Sequence, residues 1–174
     1  QQGLGCTAHA GEYGTAEDIW QCVQELGVSR IGHGLRASHD PLLLRYLAER
    51  RIHVEVCPTS NVRLGRVPSY STHPLRAFWQ HHIPLSINTD DPRLFGSDLT
   101  QEYLKAMQHS GFTLTDLQQT ILHSLDAAFL PPEKKHLLHE QITQEWQQVI
   151  CQHDEVSPND KEHTSWKGTE VGEC

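Results

Sequence analysis

The sequence predicts an α/β protein organised around a parallel sheet, and two observations lead there. Four short segments, residues 6–10, 30–33, 53–57 and 84–88, are mostly apolar or β-branched and stop at a polar residue or at Gly or Pro, which is the pattern of short strands. Between successive segments lie stretches whose apolar residues recur at helical spacing. Strand and helix alternating in this way imply parallel pairing, because each return to the same edge of a sheet needs a crossover long enough to hold a helix.

The elements follow in order. Thr15 and Asp18 are spaced as a capping box, Ile19, Val23 and Leu26 form the apolar stripe of a first helix, and Gly27 supplies its stop. Asp40-Pro41 combines an N-cap with a proline at the first helical position, where a missing N–H costs nothing, and Leu43, Leu44 and Leu47 supply the buried face. A third helix is expected near His73-Pro74 and a fourth near Asp98, with two more over residues 113–125 and 132–150. Residues 58–72 are too long and irregular for a plain connection and form a candidate active-site loop. Residues 1–150 are expected to form the folded part. From residue 151 the composition turns polar and charged, and residues 151–174 are expected to be a disordered tail.

Composition narrows the function. The chain has 174 residues, 37% of them hydrophobic, enough for one domain with a core. Its net charge of -8 argues against a nucleic-acid partner, since phosphate binding needs clustered Lys and Arg. No apolar run approaches the roughly 20 residues of a spanning helix, so no membrane partner is expected. Cys6, Cys22, Cys57, Cys151 and Cys174 are odd in number and scattered without a C-x-x-C pair. They read as reduced thiols of a cytoplasmic protein, not as a disulfide framework or a cysteine zinc site. The chain does not begin with Met, and a fragment or processed product is the expectation.

The unusual polar residues fall on one rim. His9 and His33 end the first two strands, Glu55 and Cys57 lie in the third, Asp90 follows the fourth, and Glu12 comes three residues after His9. Ligands and catalytic groups collect at the carboxyl ends of strands in parallel α/β folds. Imidazole and carboxylate together suit a divalent metal such as zinc. Each residue also has an ordinary reading. Most of the 13 histidines must be surface residues, Asp-Asp-Pro is commonly a solvated turn capped by an aspartate, and Cys57 fits a small buried hydrophobe. Convergence of separate motifs on one rim favours the functional reading.

Those motifs also resemble a known family. HAGE at residues 9–12, RIGHG at 30–34, EVCPTSN at 55–61, HPLR at 73–76 and SINTDDP at 86–92 together resemble the C-terminal half of adenosine deaminase, in its bacterial-type form. AFLPPEKK at residues 128–135 is similar to that family's closing helix. The resemblance implies the last four βα units of a (β/α)8 TIM-type barrel, followed by C-terminal helices. It implies one zinc ion per complete site, with His9 and Asp90 as ligands. Glu12 would give a proton to purine N1, His33 would orient or deprotonate the attacking water, and Asp91 would hydrogen-bond purine N7. The substrate would be a purine nucleoside, adenosine or deoxyadenosine, with the free base adenine as the alternative.

The family's H-x-H pair, two further zinc ligands, occurs nowhere in this sequence. A missing N-terminal half-barrel is therefore expected as a partner. Alone, four strands should expose two unpaired edges and an apolar inner face. A truncated, non-catalytic half-barrel that associates through those edges is the competing expectation.

Overall fold

The computed structural model describes residues 4–155. Four parallel strands, β1 (Thr7–Ala10), β2 (Arg30–His33), β3 (His53–Val56) and β4 (Leu85–Ile87), pair in chain order. The register puts Ala8, Ile31, Val54 and Leu85 in one row and His9, Gly32, Glu55 and Ser86 in the next. Since successive side chains alternate across a sheet, these rows face opposite sides.

The first row faces the crossover helices. Ile31, Val54 and Leu85 are fully buried there, with Leu43 and Leu47 of α2 (Pro41–Glu49) and Phe78 of α4 (Leu75–Gln80). Each such side chain contributes roughly 1.5–3 kcal/mol through burial. The second row corrects the expectation of an apolar inner face, because this face is polar. Arg30 donates through Nε to Glu55 at 2.8 Å, and Thr7 donates to the other Glu55 oxygen at 3.3 Å. His53 Nε2 lies 2.9 Å from Ser86 Oγ, and Asn88 donates to the same hydroxyl at 2.9 Å. Near the start of the sheet the Arg30 guanidinium stacks 4.6 Å from the ring centroid of Phe129.

Local signals placed most helices. Asp40 accepts from the Leu42 and Leu43 amides at the start of α2, and Thr15 and Asp18 form the capping box of α1 (Ala16–Gln24). That helix stops at Gln24, so Leu26 lies outside it and is exposed, unlike Ile19 and Val23. The expected loop over residues 58–72 is in part a helix, α3 (Pro58–Arg63), with its proline in the first turn, followed by a 3₁₀ turn at Tyr70–Thr72. After β4 come α5 (Pro92–Phe95), α6 (Leu99–Ser110), α7 (Leu114–Ala127) and α8 (Pro132–Glu155). Asp98 and Thr113 cap α6 and α7.

The chain divides into two compact units between Lys135 and His136, within α8 and before the boundary expected at residue 150. The first unit carries the sheet and α1 to α7. Residues 151–155 continue α8, and the rest of the expected tail lies outside the described residues. Among the described residues no helix is long and apolar enough to cross a membrane, and Cys6, Cys22 and Cys57 are free thiols.

Candidate active site

Two backbone departures build the site. His33 ends β2 with φ 64° and Asp90 follows β4 with φ 61°, both in the left-handed region. Non-glycine residues enter this region at a cost of roughly 1–2 kcal/mol, and Asp and His do so more readily than most; exposed Arg51 and His82 adopt it too, at φ 52° and 57°. The turn takes each side chain out of its strand's alternation and brings the two together. His33 Nε2 lies 4.0 Å from Asp90 Oδ2 and 3.6 Å from Oε2 of Glu12, which sits in the turn after β1. Side-chain exposure rises from 3% at His33 through 13% at Glu12 to 32% at Asp90, so the cluster runs from a buried imidazole outward to a carboxylate in contact with solvent.

His9 completes the group. Its ring centroid is 5.1 Å from that of His33, and Gly32 makes room for it: a Cβ there would collide with His9 Cδ2 and stand 3.1 Å from Nε2. His9, His33, Cys57, Asp90 and Tyr103 line a cavity of about 440 Å³ at the carboxyl ends of the strands. Glu12 borders an adjoining cleft that His9 also lines.

Burial pushes the His33 pKa down, against the upward pull of the Glu12 and Asp90 carboxylates. Burial also raises the pKa of the Cys57 thiol, helped by the surrounding acids. One ligand atom each from His33, Cys57 and Asp90 lies within 4.8 Å of the others. Cys57 is buried and lines the cavity, which fits a small buried lining residue. The imidazole and carboxylate donors at the cavity suit a zinc ion in chemistry and charge.

One sequence candidate stands apart from the cavity. Asp91 is exposed, its Oδ1 accepting the Leu94 amide at 3.2 Å as the N-cap of α5, and it does not line the cavity. Glu55 lines the cavity, its carboxylate accepting from Arg30 and Thr7. His39, His81, His82 and His109 are exposed.

Several polar residues of the site had no assigned role. The Ser60 hydroxyl donates to Asp90 Oδ2 at 2.6 Å, Asn61 meets His33 Nδ1 at 3.1 Å, and His73 Nε2 meets Asn61 Oδ1 at 3.1 Å. Behind them, fully buried Glu102 of α6 accepts the Thr59 amide at 3.0 Å and the Ser97 hydroxyl, while Lys105 donates to Thr59 Oγ1 at 2.7 Å. This ties α6 to the first turn of α3. Ser60 and Asn61 sit in the first turns after Pro58, and that placement of polar residues beside EVCP was the signal available in the sequence.

Comparisons with known proteins identify the family and the fold. The family model described as adenosine deaminase matches residues 1–145. Adenosine deaminase of Shewanella loihica is 44% identical over 137 residues, covering 79% of this chain and 41% of that protein. The Vibrio cholerae adenosine deaminase is 47% identical over 137 residues, covering 78% and 41%. The chain thus spans about two fifths of the length of the curated relatives it matches. Among solved structures, an adenine deaminase from Arthrobacter aurescens superposes with a TM-score of 0.79 at 31% identity, over 84% of this chain and 44% of that one. An amidohydrolase from Burkholderia ambifaria with bound Zn gives 0.79 at 30% identity, over 86% and 42%. The solved neighbours are barrel proteins, to a part of which the parallel βα units correspond, and with the family model matched over residues 1–145 the chain belongs to the adenosine deaminase family.

Proposed function

We propose that this chain carries the C-terminal half of the active site of a zinc-dependent aminohydrolase that converts adenosine, and deoxyadenosine, to inosine (or deoxyinosine) and ammonia. The observation that carries the reading is the approach of His33 Nε2 to Glu12 at 3.6 Å and to Asp90 at 4.0 Å, beside His9 at the strand ends.

His9 and Asp90 would hold the zinc, whose chemistry is to make water nucleophilic near neutral pH. The chain's own groups do the rest. Water oxygen adds to C6 of the purine while Glu12 gives a proton to N1, so the electron pair displaced from the ring is neutralised where it arrives. His33 orients or deprotonates the attacking water. The C6 amine takes up a proton and leaves as ammonia, and the ring regains its conjugation as the 6-oxo product. Asp91 would accept a hydrogen bond from N7. Its role as helix cap uses one carboxylate oxygen and holds its backbone beside Asp90.

The alternative substrate is free adenine, favoured by the similarity to the Arthrobacter adenine deaminase. Ligands beyond His9 and Asp90 would come from a further barrel segment, since no H-x-H is present here. The test is to purify the chain alone and together with the N-terminal barrel portion of a relative such as the Vibrio cholerae enzyme. Alone it should associate, retain little zinc and leave adenosine unchanged, because the strand edges are unpaired and the ligand set is short. Complementation should restore both zinc and the absorbance change from adenosine to inosine. Turnover of adenine instead selects the alternative. A complemented, zinc-loaded protein that deaminates neither refutes the proposal.

A further inference from the structure

We propose that Asn61 and His73 are positioning residues, forming a hydrogen-bond relay that starts at the backbone N–H of Leu75 and fixes His33 in the tautomer with its hydrogen on Nε2. The inference deepens the deaminase reading by defining how His33 enters the site, and rests on that reading for its functional meaning.

Each link has only one permitted direction. The Leu75 N–H can only donate, and it points at His73 Nδ1 from 3.0 Å, so that nitrogen carries no hydrogen. Burial pushes the His73 pKa down to about 3, so the ring is neutral and its single hydrogen sits on Nε2. That Nε2–H faces the Asn61 side chain at 3.1 Å and must meet the amide oxygen. The opposite end of the amide, 3.1 Å from His33 Nδ1, is therefore the NH₂ group, and Nδ1 must accept. A neutral His33 is left with its hydrogen on Nε2, the atom that faces Glu12 and Asp90.

Burial enforces the polarity. His33, Asn61 and His73 are 2%, 0% and 5% exposed, so water cannot repair a reversed link. Reversal would set two hydrogens or two lone pairs against each other, and an unsatisfied buried polar group costs about 1–3 kcal/mol. The relay also gives work to two motifs without an assigned role: CPTSN supplies Asn61, and HPLR supplies both His73 and the Leu75 amide. Its chemical consequence is that resting His33 presents a donor to the site. Of its two candidate roles, orienting the attacking water is the one the relay supports, which leaves proton acceptance to a carboxylate.

The test reads the tautomer directly. Magic-angle-spinning NMR of the 174-residue chain with ¹⁵N-labelled histidine rings reports which nitrogen carries hydrogen, whether the chain is dispersed or assembled. The two rings are assigned by loss of signal in His33→Gln and His73→Gln. His33 and His73 should each be protonated on Nε2 alone at neutral pH. Asn61→Asp offers only acceptors, so it should move a hydrogen onto His33 Nδ1. His73→Phe, which keeps bulk but removes the first links, should give His33 as a mixture of tautomers. Hydrogen on Nδ1 of wild-type His33, or a His33 spectrum unchanged in both variants, overturns the relay. Since the readout is not turnover, a wrong substrate assignment would leave this result untouched, and the two proposals fail separately.

Discussion

Nε2 of His33 and Oδ2 of Asp90 stand 4.0 Å apart, and both residues reach that position by adopting left-handed backbone, at φ 64° and 61°. They come from strands separated in the sheet by β3. A regular strand end would leave each side chain in its alternating position. The meeting of imidazole and carboxylate is therefore made by the backbone turns.

The neighbouring aspartates should separate in experiment. Asp90→Ala in the complemented protein should lose zinc and activity together, because an anionic ligand disappears and the Ser60 hydroxyl loses its acceptor. Asp91→Asn keeps an oxygen for the Leu94 amide and should retain zinc and fold while weakening turnover. Asp91→Ala should in addition cost about 1 kcal/mol as a lost helix cap. Metal analysis beside urea unfolding distinguishes these outcomes, and zinc loss confined to the Asp91 variants would reverse the roles.

Glu12→Gln preserves size and hydrogen bonding while removing the acid. If Glu12 protonates N1, kcat of the complemented enzyme should drop by about 10²- to 10⁴-fold, with little change in zinc. Wild-type kcat would remove Glu12 from the chemistry.

Gly32 is predicted to matter through its missing side chain. Gly32→Ala places a methyl group in the space of the His9 ring, and because His9 is exposed its easiest response is to swing away. Zinc affinity should fall by about tenfold or more, as expected when a ligand is misdirected. Competition with a chromophoric chelator measures this, and unchanged affinity would show that His9 is not held by this contact.

Stability should depend on pH through two buried histidines. His53 and His73 have pKa values pushed down to about 3 from 6.5, chiefly by burial. Both folded values lie below the unfolded one, so the unfolded chain binds more protons in acid. The contribution is fully present above pH 6.5 and is lost as pH falls towards about 3. The limiting slope is about 1.4 kcal/mol per pH unit for each histidine. Urea midpoints of the complemented protein, taken across this window, should fall with pH, and His53→Gln should make the fall shallower. A flat profile in the wild type would mean that these rings are not held neutral.

The sequence by itself determined the alternating elements and most helix starts. Asp40-Pro41, Thr15 with Asp18, Asp98 and Thr113 act within a turn or two of chain, so their meaning does not depend on distant contacts. It also placed His9, Glu12, His33 and Asp90 at one rim, because strand ends in a parallel sheet point the same way. Only the tertiary structure decided the rest. Leu26 continued the spacing of its helix, yet the helix ends at Gln24 and leaves it exposed. The inner face is polar because Arg30 finds Glu55 on the adjacent strand and His53 finds Ser86, pairings that depend on register. The directions of Asn61 and His73 likewise depend on a backbone amide at Leu75 and on exclusion of water. Such long-range satisfaction of buried polar groups leaves no periodicity in a sequence, since partners 25 to 33 residues apart carry no common spacing.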